Sequence, residues 1–310
     1  MGEGEKDIAS SPFDDSEADI ILRSSNNVNF HVYSVVLKLA SPIFRDMFSI
    51  PQPATQTETP VVEMEEDSTT LDIMLRLCYP GPDPRVTTLA RLTSILRVAE
   101  KYDLDGVVEK MGCSYAELVD FEEVPIEAFA MACRYRWKEV ALTAAKASLG
   151  FTTDELLHQE AEALKSVTGM EYHRLFQYHH ACRVACNNVT KHIEWVGYYT
   201  STGRFEVYSF ERHASNTVPK PKRCSDVMQL GYRAFPSWWC NYMQEIGKEF
   251  MLQGPTSVCL IDSSILKTIS ASECKSCKDV ANFGDIYRFL EQFRDRIDST
   301  IKSVKLELSF

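Results

Sequence analysis

Several things are missing from this sequence. No stretch approaches the ~18 consecutive apolar residues that a membrane-crossing helix needs. Met1 to Ser16 is acidic and lacks the apolar core of a signal peptide. There is no surplus of positive charge: the formal net charge of −11 over 310 residues counts against unspecific attachment to nucleic acid, whose phosphates attract clustered Lys and Arg. The chain also lacks a Gly-x-Ser-x-Gly elbow, a Gly-rich phosphate loop before a helix, and a His-Glu-x-x-His pair. Carboxylates cluster at Asp14-Asp15, Glu65-Glu66-Asp67 and Glu122-Glu123, each at a terminus, strand end or linker, where solvated charge is the expected reading. These absences set the expectation that the chain is not an enzyme. Without a secretory leader, the ten cysteines are expected in a reducing compartment, cytoplasm and/or nucleus, as free thiols or metal ligands.

The length suffices for about two domains, each able to bury a core. Residues 1–17 read as a disordered acidic tail and residues 18–118 as an α+β domain. In the latter, Asp19-Ile20-Ile21-Leu22-Arg23 is a strand, and Val28-Asn29-Phe30-His31-Val32 alternates with period two. Ser24 to Asn27 supplies the turn between them, giving a hairpin that buries Val28, Phe30 and Val32 and turns Asn29 and His31 away. Val35, Val36 and Leu39 then take helical spacing, and Ser41-Pro42 opens a second short helix with Phe44, Met47 and Phe48 inward. Val61 to Met64 is a third strand. Thr69 and Asp72 have capping-box spacing for the next helix, which stops at Pro80-Gly81-Pro82. Leu89 to Tyr102 forms a fourth helix, and Asp103 is expected to cap a fifth.

Residues 119–200 read as a helical extension. Pro125 to Tyr135 and Trp137 to Leu149 are helical by pattern, and Thr152/Glu155 and Thr168/Glu171 mark two further helix starts. Residues 201–224 read as hairpin and linker, with strands flanking Thr200 to Gly203 and an exposed segment from Asn216 to Cys224 that carries Lys220, Lys222 and Arg223. Residues 225–310 return to helix. Trp239, Tyr242, Met243, Ile246 and Phe250 line one stripe; Ile286, Leu290, Phe293, Ile297, Ile301, Val304 and Leu308 line another, expected to pack on its own domain ahead of a coiled-coil partner.

Asp19-Ile20-Ile21-Leu22, Phe30-His31-Val32-Tyr33, the run from Leu39 to Phe48 and Leu77-Cys78-Tyr79 together resemble a BTB/POZ domain in order and spacing, over about a third of the chain. The Tyr79-to-Pro84 ending and the Cys-bearing tail look most like BTB proteins of mushroom-forming fungi. The resemblance implies a protein-interaction module with an α-helical C-terminal region, self-associating as a homodimer through its first two helices, with Val35, Val36 and Leu39 as the interface candidates. The alternative for these three is that they belong to the domain's own core. The family also implies docking to a cullin ubiquitin-ligase scaffold, helped by a hydrophobic–any–Glu motif after the second helix. Here that place reads Ser49-Ile50-Pro51-Gln52-Pro53, without Glu, which weakens the expectation. Met64-Glu65-Glu66 has the pattern but lies by the third strand.

His179, Cys182 and Cys186 fall on one helix face, and Cys274-Lys275-Ser276-Cys277 is a Cys-x-x-Cys turn of the kind that holds structural zinc. The resemblance points to His179, Cys182, Cys274 and Cys277 as the four ligands, with Cys186 as a substitute. Against this, Cys182 shares an apolar stripe with Leu175, Val189 and Ile193, where a free Cys is a small core residue. The functional expectation is a non-enzymatic scaffold or adaptor. The alternative is a nuclear regulator whose Cys/His region contacts nucleic acid or chromatin proteins, with Lys220, Lys222 and Arg223 as a foothold.

Overall fold

The computed structural model describes residues 7–50, 59–199, 205–207, 227–230, 233–256, 263–272 and 283–310. The chain divides into two compact units, residues 1–120 with 135–140, and residues 121–134 with 141–310. The expected helical extension is split between them, residues 135–140 going with the first unit and the rest beyond residue 120 with the second; most of the expected 201–224 hairpin and linker lies outside the described residues.

The first unit holds a three-stranded sheet in the order β2-β1-β3. β1 (Ile20–Arg23) and β2 (Asn29–Val32) are antiparallel, with Ile20 opposite Val32 and Leu22 opposite Phe30. The turn closes through Ser24, whose N–H donates to the Val28 carbonyl at 2.9 Å, and Asn27 takes the positive φ (64°) that Asn tolerates. β3 (Val61–Glu63) joins β1 in parallel, with Val62 beside Leu22. Phe30 and Val32 are buried as expected, but Asn29 is buried as well. The cause is the N-terminal segment. Residues 7–17, expected as a disordered tail, run along β2: Asn29 N–H donates to the Asp7 carbonyl, Ala9 N–H to the Asn29 carbonyl, and His31 N–H to the Phe13 carbonyl. Phe13 is fully buried, 5.8 Å from the Phe30 ring and edge-on to Tyr79 at 5.2 Å, with the Arg76 guanidinium over its face.

Five helices surround this sheet: α1 (Ser34–Ala40), α2 (Pro42–Met47), α3 (Ser68–Cys78), α4 (Leu89–Lys101) and α5 (Asp105–Leu118). Two of the expected caps are corrected. Asp67 caps α3, accepting from Thr69 and Thr70 N–H, whereas Asp72 is drawn into an i,i+4 ion pair with Arg76 at 2.9 Å. Asp103 does not cap α5. It sits at φ +52° just past α4, and bonds from Leu104 N–H to Ala99 and from Asp103 N–H to Glu100 complete a Schellman closure. Near the end of this unit Trp137 packs on α5. Its ring lies 5.4 Å from Tyr115, its Nε1 donates to the Val108 carbonyl, and Gly112 leaves the space it fills.

The second unit is built on α9 (Gly169–Lys191), following α6 (Pro125–Tyr135), α7 (Lys138–Ser148) and α8 (Thr153–His158). Thr152/Glu155 and Thr168/Glu171 are both complete capping boxes. Two hairpins follow, β4 (Gly197–Tyr199) with β5 (Phe205–Val207), and β6 (Val227–Leu230) with β7 (Arg233–Pro236). The second hairpin was not foreseen. α10 (Ser237–Leu252) and α12 (Phe283–Ser303) pack on α9, and α11 (Ser263–Ala271) packs on α10. Trp239, Tyr242, Ile246, Phe250, Phe289, Phe293 and Ile297 fill the core between them, with Trp195 stacked on Phe293 at 5.4 Å. The terminal helix thus packs on its own unit and ends at Ser303, before the Val304 and Leu308 of its expected stripe.

Candidate interaction surface

α1 is anchored at its start. Asp19 accepts from the Ser34 N–H and hydroxyl, both at 2.6 Å, and Tyr33 N–H donates to the Tyr79 hydroxyl at 2.7 Å. Partial burial works to raise the Asp19 carboxyl, but the Ser34 hydrogen bonds outweigh it and hold the group below its usual range. So fixed, α1 turns Ser34 and Leu37 inward and can bury little else. Val35 and Leu39 stand 58% and 79% exposed, and Val36 is half-buried.

Ser41 starts α2 as expected: its hydroxyl accepts from Phe44 N–H at 3.0 Å and donates to the Tyr102 carbonyl. Phe44 is fully buried between Tyr102 and Phe48, ring distances 4.8 and 5.6 Å, whereas Met47 and Phe48 are half-buried rather than core. Arg45 donates twice to the Lys38 carbonyl and ties α2 to the end of α1. The outward side of α2 adds Ile43, 41% exposed, and the chain beyond adds Ile50, 63% exposed. Ile43 was not singled out in the sequence; it stands one step round α2 from the buried Phe44.

Of the glutamates by β3, Glu65 stays exposed and solvated, whereas the Glu66 side chain is largely buried. Lys101 Nζ contacts Glu65 and Glu66, each at 2.8 Å, and Glu66 also accepts from the Tyr102 hydroxyl. Met64 is buried. The Met64-Glu65-Glu66 pattern is thus held within the domain.

His179, Cys182 and Cys186 all lie in the core on the inner side of α9. His179 Nε2 is 3.0 Å from the Ser148 carbonyl, and burial with the Arg183 charge pushes its pKa down to about 4. Burial pushes the Cys182 thiol up to about 11 and Cys186 up to about 12. Among the described residues no three His, Cys, Asp or Glu side chains converge on a metal position. Cys274 and Cys277 lie outside the described residues, as do Lys220, Lys222 and Arg223. Sequence reasoning missed Arg183, buried on the same helix. Its guanidinium donates to the Thr153 hydroxyl and to the carbonyls of Phe151 and Met251, with Nε left without a partner among the described residues.

The β-β-α-α-β-α-α-α order, with the first helix displaying apolar side chains, coincides with a family match: residues 11–116 fit the BTB/POZ domain. This segment is a BTB/POZ domain. The match starts two residues before Phe13, in keeping with the packed N-terminal segment. No curated protein matches the chain. A BTB/POZ domain is a protein-interaction fold whose members commonly self-associate and bind other proteins.

Proposed function

We propose that this BTB protein is a non-enzymatic scaffold or adaptor that self-associates through the outer face of α1 and the start of α2. The observation that carries the reading is the exposure of Val35 and Leu39 at 58% and 79% on a helix anchored from its other side. Large side chains grouped this way lose little by staying folded alone and gain by meeting a partner. The helical unit selects what the assembly gathers. A structural zinc held by His179, Cys182, Cys274 and Cys277 in a reducing cytoplasm or nucleus belongs to the same proposal, as does likeness to the BTB proteins of mushroom-forming fungi.

Sedimentation equilibrium of the wild-type chain and of Leu39→Asp and Val35→Asp tests the interface. Both positions are exposed, so each change costs the monomer no more than about 0.5 kcal/mol of folding stability. A wild-type dimer that turns monomeric in the variants at unchanged helicity is the expected result. A dimer indifferent to both charges removes this face from consideration.

A further inference from the structure

The segment that follows α12 changes period. Val304-Lys305-Leu306-Glu307-Leu308-Ser309-Phe310 alternates apolar and polar residues two by two, whereas the helix before it buries Leu290, Phe293, Ile297 and Ile301 at helical spacing. Burial follows the same alternation: Val304, Leu306, Leu308 and Phe310 are half-buried, and Lys305, Glu307 and Ser309 are exposed. Turning successive side chains to opposite faces is the mark of extended backbone. The segment thus has the form and pattern of a β-strand, yet it joins no sheet among the described residues. The Val304 N–H donates to the Ile301 carbonyl; from Lys305 to Phe310 no backbone group has a backbone partner among the described residues.

An unpaired extended edge is a template for one more strand. The charges on its exposed face say which strand completes it. Lys305 and Glu307 stand there side by side, neither ion-paired among the described residues. When two copies of the segment run antiparallel with Leu306 opposite Leu306, Lys305 of each copy faces Glu307 of the other. Val304 of each then faces Leu308 of the other on the apolar side. A slip of one residue sets apolar faces against polar ones. Centring the pair on Lys305 or on Glu307 sets like charges opposite, and so does a parallel pair in register. The antiparallel pair centred on Leu306 places both charges of each copy against their opposites.

We propose that residues 304–308 form a two-fold antiparallel ribbon with the same residues of a second copy of this chain. The contact is isologous and uses no residue of α1 or α2. The half-buried side chains already hold the segment extended, so pairing has little left to order.

This contact stands whether or not the α1 face self-associates, so the test uses the full chain carrying Leu39→Asp, in which that face is disabled. Sedimentation velocity over a concentration series should show a reversible monomer–dimer equilibrium in this host. Lys305→Glu and Glu307→Lys, both at exposed positions, should each weaken it at least about tenfold by setting like charges opposite, at unchanged circular dichroism. Combining the two exchanges in one chain should restore the dimer. An equimolar mixture of the two single variants should restore it too, because every opposing pair is again Lys with Glu. No dimer in this host, association indifferent to the single exchanges, or failure of either the double exchange or the mixture to recover it overturns the proposal.

Discussion

Ser41 joins two helices with one hydroxyl. It accepts from the Phe44 N–H that α2 leaves open and donates to the Tyr102 carbonyl at the end of α4, both away from water. Ser41→Ala removes a cap worth about 1 kcal/mol and strands a buried carbonyl at a further 1–2 kcal/mol. The unfolding free energy from urea melts should fall by about 2–3 kcal/mol, read as a lower midpoint at constant slope; a loss below about 0.5 kcal/mol would mean that water takes over the hydroxyl's bonds. The cap itself was legible, because Ser-Pro before an apolar stripe has few other meanings. Its second partner was not, since Tyr102 lies 61 residues away in sequence. His179 makes a pH prediction. Its folded pKa lies near 4 and its unfolded value near 6.5, so between these limits the unfolded chain binds more protons and stability falls as pH falls. Zinc-free protein should lose on the order of 3 kcal/mol from this group on going from pH 7 to pH 4. His179→Gln, which keeps a donor for the Ser148 carbonyl, should flatten that slope in urea melts. Zinc content of the purified chain by mass spectrometry is the companion measurement. One ion per chain would replace the titration by ligation, and none in folded, chelator-indifferent protein would end the zinc reading.

At the scale of elements, α9 and α10 cross in close contact. A Cβ at Gly247 would come within 2.5 Å of Thr190 Oγ1 and 2.8 Å of Asn187 Oδ1. Ala favours a helix over Gly by about 1 kcal/mol, but overpacking a buried crossing costs about 1–3 kcal/mol. Gly247→Ala should therefore lower the melting temperature, and Thr190→Ala added to it should recover part of the loss. An increase in the single variant would show that the crossing relaxes freely. Most helices were readable because their apolar periodicity and their Thr-x-x-Glu starts agree, as at Thr152 and Thr168. Asp103 was misread because a short polar residue serves a helix start and a left-handed helix end equally well, and the Schellman bonds that decide depend on Ala99 and Glu100. The β6–β7 hairpin escaped notice although Gly231-Tyr232 between Val227–Leu230 and Arg233–Pro236 is ordinary two-residue hairpin chemistry. The adjacent Trp239 stripe drew the whole segment toward helix.

For the whole molecule, net charge −11 disfavours any partner that is itself strongly acidic and leaves apolar contact as the main source of affinity. If a cullin scaffold is among the partners, the Ile50-Pro51-Gln52 sequence weakens the contact by lacking a carboxylate at its third place. Gln52→Glu should then tighten binding to a cullin N-terminal region by about tenfold in a pull-down titration; no gain would point to a scaffold of another kind. The α+β class and the interaction role of residues 11–116 were legible in ordered motifs. The exposed face was only half legible, because period and spacing give the sides of α1 but not which side the sheet takes. The close crossing of α9 and α10 was not legible at all, since it depends on where Thr190 and Gly247 meet. The buried Phe13 bears on how the protein is handled. A fragment begun at residue 18, where composition alone would cut, discards the ring that covers Phe30 and Tyr79 and the backbone that lines β2. Such a fragment would precipitate for reasons unrelated to its partners, whereas one begun at Asp7 keeps the sheet covered.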